Sequence, residues 1–263
     1  MALKIYQVDA FTRQLFAGNP AAVIKLEAFL DDDLMQKIAM ENNLSETAYV
    51  VAREPAAHYD LRWFTPTLEI EFCGHATIAT AHMLYAEYGE EPPFHFHTQI
   101  GELIVNHRED LYHMDAPISP ATPTEITDNM RAAFPVNISE AFKASDNLYL
   151  VFEDEEDVRR IRPDFSLIRP LSDHGVGITA AGKHQYDCVS RFFVPAQGID
   201  EDPVTGSAHA AIGPYWATRL GKNTLTAYQA SKRGGILNLE IGLDRLTISG
   251  RAVTYLSGEI FIS

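Results

Sequence analysis

A handful of side chains in this sequence have the chemistry to move a proton or hold an anion. Glu46 stands in "ENNLSETAYVV", at the passage from a predicted helix into a predicted strand. A glutamate there is commonly a solvated turn residue. Enclosed, its carboxyl group has a pKa raised toward neutrality and suits acid and base work at carbon. His75 follows Cys73 and Gly74 at the start of "GHATIATAHMLYAEYG". A helix start favours the neutral ring, which makes His75 either a hydrogen-bond donor and proton partner or a structural histidine. Asp202, Gly206 and Ser207 lie in "DEDPVTGSAH", again at a predicted helix start, where Asp202 before Pro203 equally suits the turn that begins the helix.

The two helix segments are copies of one pattern. "GHATIATAHMLYAEYG" and "GSAHAAIGPYWATRLG" have the same length, both open Gly-x-Ala-x-x-Ala, and both close on a glycine suited to a C-cap. Their lead-ins, "FTPTLEIE" and "FVPAQGID", share Phe-x-Pro-x-x-x-Ile-acid, and each helix is followed by a strand–turn–strand–turn–strand pattern. Apolar or small on most faces, these helices must be wrapped by sheet. The expected fold is α/β (α+β): two similar lobes from an internal duplication, each a curved sheet or barrel around a central buried helix. The proline-bearing stretch "DAPISPATPTE" reads as the linker. The expected lobes are residues 1–117, completed by the terminal strand in 251–263, and 118–250. Glycine-rich helix starts offer free N–H groups to a carboxylate or phosphate without a lysine cluster.

Elsewhere "LKIYQVDAF", "TAYVVA" and "YDLRWFTP" read as strands, "FAGNPAAVI" as a turn, and "DDDLMQKIAMENN" as a helix with Leu34, Met35 and Ile38 on its apolar face. "HGVGITAAG" lacks G-x-G-x-x-G spacing and reads as a strand rather than a nucleotide loop.

With 21 Lys and Arg against 36 Asp and Glu, the net charge of −15 argues against a nucleic-acid or anionic-membrane surface. No apolar run approaches the roughly 18 residues of a membrane span, and the N-terminus lacks a signal-peptide core. Two cysteines in unrelated contexts suit a cytoplasmic protein with free thiols. A two-thiol racemase is disfavoured, because "DEDPVTGSAH" holds no counterpart to Cys73. A metal site is not expected: His75 and His82 stand roughly 10 Å apart on their helix. His95 and His97 share a strand face but have no carboxylate or further ligand near them in sequence.

"FAGNPAAVI", "NLSETAYV", "FTPTLEIEFCGHAT" and "GIDEDPVTGSAH" together resemble the phenazine-biosynthesis PhzF-like family, which shares the diaminopimelate-epimerase fold. The resemblance runs in order along essentially the whole chain. It implies a cofactor-independent isomerase with its active site between two lobes, generally a homodimer. By the motif match Glu46 shuttles the proton, His75 and Asp202 are its catalytic partners, and Gly74, Gly206 and Ser207 lie at the substrate. The family's reference reaction tautomerises a dihydro-hydroxyanthranilate. For this chain the resemblance implies proton transfer between carbons of a small unsaturated or cyclic carboxylic (amino) acid, an anionic metabolite. A racemase or epimerase of the related fold and a non-catalytic small-acid-binding protein are the alternatives.

Overall fold

The chain begins with two antiparallel strands, β1 (Ala2–Ala10) and β2 (Asn19–Leu26), with Tyr6 opposite Val23 and Ala10 opposite Asn19. The turn between them closes on Gly18 at φ +66°, where a Cβ would stand 2.1 Å from the Ala10 carbonyl oxygen, so only glycine fits. "FAGNPAAVI" is thus a turn only as far as Gly18, and Asn19 and Pro20 already belong to β2. Pro20 is tolerated there because the parallel partner β3 (Glu46–Arg53) engages one residue later, Glu46 opposite Ala21. Between β2 and β3, α1 (Asp32–Asn42) carries Asp32 and Asp33 in its first turn, where the macrodipole favours them. It buries Met35, Ile38 and Ala39 against Ile24, Tyr49 and Phe64, and the Tyr49 hydroxyl donates to the Met35 carbonyl at 2.7 Å.

In this computed structural model, which describes residues 1–262, the chain divides into two compact units, each α+β with mixed parallel and antiparallel pairing. The first unit is Met1–Asp115 with the segment from Ser249 onward, and the second is Ala116–Ile248. The first continues through β4 (His58–Phe64), the short β5 (Glu69–Ile70), α2 (Gly74–Tyr88), β6 (Phe94–Thr98), β7 (Gly101–Arg108) and β8 (Leu111–Pro117). The terminal strand (Ala252–Phe261) pairs antiparallel with β1, Ala2 opposite Phe261. The sheet order is terminal strand–β1–β2–β3–β4–β6–β7–β8, parallel at β2/β3 and β4/β6.

Most of α2 is buried, from Gly74 to Ala81 without a break. Its Thr77 and Thr80 hydroxyls donate to the carbonyls of Cys73 and Ala76, which satisfies two polar groups that have no water to turn to. His82 shows how the sheet is shaped. Its Nδ1 meets the Tyr112 hydroxyl of β8 at 3.0 Å and its Nε2 meets Thr254 of the terminal strand at 3.1 Å. These strands stand at opposite ends of the first unit's strand order, so the sheet curves around the helix.

The second unit comprises β9 (Thr122–Pro123), α3 (Asp128–Ala133), β10 (Ile138–Ala144), β11 (Asn147–Phe152), α4 (Glu155–Arg160), α5 (Phe165–Ile168), β12 (Val176–Ala181), β13 (Cys188–Val194), β14 (Ile199–Asp202), α6 (Gly206–Leu220), β15 (Thr224–Gln229), β16 (Gly235–Ile241) and β17 (Arg245–Gly250). Its sheet runs β9–β10–β11–β12–β13–β15–β16, with parallel pairs β11/β12 and β13/β15. From β10 to β16 this is the order and polarity of β1 to β7. The stretch 115–125 is not a free linker: Thr122 and Pro123 pair with Lys143 and Phe142, an edge position that a proline accepts. Among the described residues no helix is long and apolar enough to cross a membrane.

Candidate active site

Three element starts in the first unit bring their polar residues together. The parallel register sets the beginning of β3 beside the beginning of β2, and α2 packs on β1, β2 and β3. Glu46, the first residue of β3, thereby meets His75, the second residue of α2, with Nε2 and Oε2 2.8 Å apart. Their side chains keep 12% and 5% of their surface exposed. The contact is an ion pair rather than an aligned hydrogen bond, which leaves the buried Oε2 without a hydrogen-bond donor. On its other side the ring is held by Asn19, whose Nδ2 stands 3.1 Å from Nδ1, and by the Cys73 sulfur at 3.4 Å. Ser45 in turn donates to the Asn19 carbonyl oxygen at 3.1 Å, which orients the amide with its NH2 toward the imidazole. With Nδ1 as the acceptor, a neutral ring carries its proton on Nε2, facing Glu46.

The helix start alone favours a neutral His75, and the structure corrects that expectation. Burial does oppose the imidazolium, but Cys73 and Glu46 outweigh it and hold the His75 pKa well above its ordinary value. Burial and the nearby Glu46 carboxylate push the Cys73 thiol up to about 11, so at neutral pH the charge facing His75 is that of Glu46. The result is a carboxylate and an imidazole arranged to share one proton. Such a pair can take a proton from carbon and return it elsewhere.

Asn19 and Ser45 escaped the sequence reading. Their signal was weak, since an asparagine before proline and a serine before Glu46 both suit a turn.

The second unit builds its helix start from a different set. Thr205 is the extended N-cap of α6, and its hydroxyl donates to Asp202. The buried Gln229 side chain accepts from the Thr205 N–H at 2.8 Å and donates to the Asp202 carbonyl at 2.8 Å. Asp202 therefore does serve the turn that begins the helix. His209, one turn on, lies 2.8 Å from the Thr205 carbonyl through Nδ1 and 3.2 Å from the Ser190 hydroxyl through Nε2. Burial lowers its pKa to about 4 against the pull of the Thr205 carbonyl, so it is a neutral structural histidine. Gly206 is buried and Ser207 exposed. Neither α2 nor α6 carries an acidic residue in its first turn or a side chain that caps its N–H groups, in contrast to the acidic start of α1.

The sequence matches the phenazine biosynthesis-like protein family over residues 8–258. The chain belongs to this PhzF-like family. It is 45% identical to an uncharacterized isomerase of Pseudomonas aeruginosa over the whole of both chains. It is 38% identical to the human phenazine biosynthesis-like domain-containing protein over 99% of each. A crystal structure of a PhzF family protein from Enterococcus faecalis matches it with a TM-score of 0.95 at 45% identity, covering 100% of each chain. Membership in the PhzF-like family places the chain in an isomerase class of enzyme.

Both cysteines of this PhzF-like chain are free and buried. Cys188 lies buried in β13 of the second unit, and burial with Asp187 pushes its pKa to about 12. Among the described residues two clusters have donor atoms within 4.8 Å of one another, Glu46 with Cys73 and His75, and His58 with His97 and Glu102. The second corrects the expectation that His95 and His97 lack further ligands. Glu102 is the cross-strand partner of His97, and His58 that of His95. Strand pairing supplies neighbours that sequence spacing does not show.

Proposed function

We propose that this chain is a cofactor-independent isomerase that moves a proton between carbons of a small unsaturated or cyclic carboxylic (amino) acid, with Glu46 as the acid and base. The observation that carries the reading is the buried contact of Glu46 with His75, 2.8 Å apart, in which Oε2 has no aligned donor. The carboxylate takes a proton from one carbon, the electron pair delocalises through the unsaturated system, and the resulting carboxylic acid, which can exchange with solvent before it reacts, returns a proton to another carbon. No electrons leave the substrate, so the change is an isomerisation. His75 holds the Glu46 side chain in place and steadies its carboxylate charge before abstraction and after the proton is returned.

The substrate carboxylate is assigned to the uncapped start of α2 at Gly74, where N–H groups and the dipole favour an anion, and Gly206 with Ser207 at the uncapped start of α6 are assigned to substrate binding from their motif match. Asp202 is assigned as the second unit's catalytic partner from its motif match. The shared strand order of the two units supports an internal duplication, which would make the two helix starts equivalent. Association as a homodimer is supported by apolar side chains exposed beside and on the terminal strand, among them Phe16, Tyr255 and Leu256. The protein is assigned to the cytoplasm on its free thiols.

The test is hydrogen exchange at carbon. Small cyclic and unsaturated amino and hydroxy acids are incubated with the protein in D2O and followed by NMR. Incorporation of deuterium that disappears in Glu46→Gln supports the assignment. Parent-rate incorporation in that variant refutes it, and binding without exchange across the panel identifies a small-acid-binding protein instead.

A further inference from the structure

The outer face of three neighbouring strands gathers imidazoles at the far end of β3 from Glu46. On β4, β6 and β7 the residues Tyr59, Phe94, Phe96, Leu103 and Val105 are buried, and the alternate positions carry His58, His95, His97 and Glu102. Register sets His58 beside His95 across the parallel β4/β6 pair, and His97 opposite Glu102 across the antiparallel β6/β7 pair. His58 also pairs with Arg53, seven residues along β3 from Glu46, which separates the two places by about 23 Å of strand.

The side chains converge. His58 Nδ1 stands 2.9 Å from His97 Nε2, and the Glu102 carboxylate lies 3.9 Å from that same His97 nitrogen. His95 Nδ1 meets the same Glu102 oxygen at 3.0 Å. The His58 ring stacks on His95 with centroids 4.3 Å apart and planes 7° apart, and on His97 at 5.2 Å and 18°.

We propose that His58, His97 and Glu102 bind a divalent transition-metal ion of the zinc class, with His95 orienting the Glu102 carboxylate. Two facing imidazole nitrogens at 2.9 Å already share a proton, and a cation in its place bonds both lone pairs. Tetrahedral zinc with bonds near 2.0–2.1 Å holds its ligand atoms about 3.3 Å apart. The histidine nitrogens must therefore open by about 0.4 Å and the Glu102 oxygen must close on His97 by about 0.6 Å, which side-chain torsions supply on a fixed sheet.

Two imidazoles with one carboxylate suit zinc, cobalt or nickel over calcium or magnesium, and leave a fourth position to water. His95 supplies the outer hydrogen bond that such carboxylate ligands use.

The full chain, free of any oligohistidine tag and stripped with a chelator, is titrated with Co2+ and then Zn2+. The expected result is one equivalent of cobalt with visible d–d bands and no thiolate charge-transfer band, displaced by zinc. His58→Ala with His97→Ala weakens binding by at least about 100-fold, and His95→Ala by about 10–100-fold. Cys73→Ser leaves it unchanged, which separates this site from the Glu46–Cys73–His75 cluster. Circular dichroism verifies that the double variant folds, and His97→Gln alone replaces it if it does not. Parent affinity in the histidine variants, a thiolate band lost in Cys73→Ser, or no bound cobalt or zinc at about 1 mM, the weak end of measurable affinity, overturns the proposal.

Discussion

The Nε2 of His75 and the Oε2 of Glu46 stand 2.8 Å apart in a nearly closed environment, although their residues come from different elements of the first unit. The carboxylate is a cause of the raised His75 pKa, which yields a prediction specific to the pair. Glu46→Gln removes the charge, so the His75 titration moves down in histidine-ring NMR. Turnover falls at least about 100-fold, the lower range for general acid–base groups. An unchanged His75 titration in a folded Glu46→Gln protein contradicts the coupling, whatever happens to turnover.

Cys73 is the other partner of His75, and its expected contribution is small. With its pKa pushed up to about 11, the thiol is protonated at neutral pH and is a poor nucleophile or base. Cys73→Ser keeps a hydrogen-bonding group beside Nδ1 and is expected to retain a rate of the parent's order. Complete loss of turnover in a folded Cys73→Ser protein would return the thiol to the mechanism.

Asn19 positions the ring by a different route. Its NH2 group faces Nδ1, fixed in that sense by Ser45, so that when the ring is neutral its proton sits on Nε2, on the Glu46 side. Asn19→Leu removes this donor, so the alternative tautomer becomes accessible. Turnover is expected to fall by about 10–100-fold, the range seen when a partner that fixes an imidazole tautomer is removed. The readout that separates positioning from mere destabilisation is the ring nitrogen chemical shift of His75, which reports the tautomer. Parent-like shifts and parent-like turnover would show that Asn19 does not set it.

Local sequence makes Glu46, His75 and Asp202 turn or helix-start residues, and only the motif match singles them out; the structure brings Glu46 and His75 together and sets Asp202 in the turn before α6. Asn19 and Ser45 act through buried hydrogen bonds, and nothing in "GNP" or "LSE" distinguishes that from turn formation. The helix dipole, which alone favours a neutral His75, is a local argument, and Cys73 with the Glu46 carboxylate from β3 outweighs it. His58 and His97 are 39 residues apart and meet only because β6 pairs parallel with β4 after the chain has passed through α2. The buried helices themselves were plain, since small and apolar residues on most faces leave no surface to put in water.

Gln229 is expected to hold the start of α6. Its fully buried amide bonds the Thr205 N–H, the Thr205 hydroxyl and the Asp202 carbonyl. Gln229→Leu keeps the volume roughly and strands these groups without partners. The expected cost is on the order of 3 kcal/mol, read as a lower urea midpoint with an unchanged m-value. A loss within about 0.5 kcal/mol, the usual range for surface changes, would mean that water replaces the amide there.

Stability should fall on the acid side for reasons that involve neither the site nor the carboxylates alone. Burial lowers the pKa of His82 and of His209 to about 4, while each titrates near 6.5 when unfolded. Between those values the unfolded chain binds more protons than the folded one, so stability rises with pH across the window. Their contribution is full above about 6.5 and is lost as pH falls toward 4, on the order of 3 kcal/mol for each. His75 has the opposite sign: its raised pKa contributes fully below about 6.5, and that part is lost as pH climbs through its folded value. Urea midpoints measured from pH 4 to 8 should therefore rise to about pH 6.5 and then level or turn down. His209→Gln should flatten the acid limb, and Glu46→Gln should reduce the downturn. An acid limb equally steep in His82→Gln and His209→Gln would assign it to the carboxylates instead.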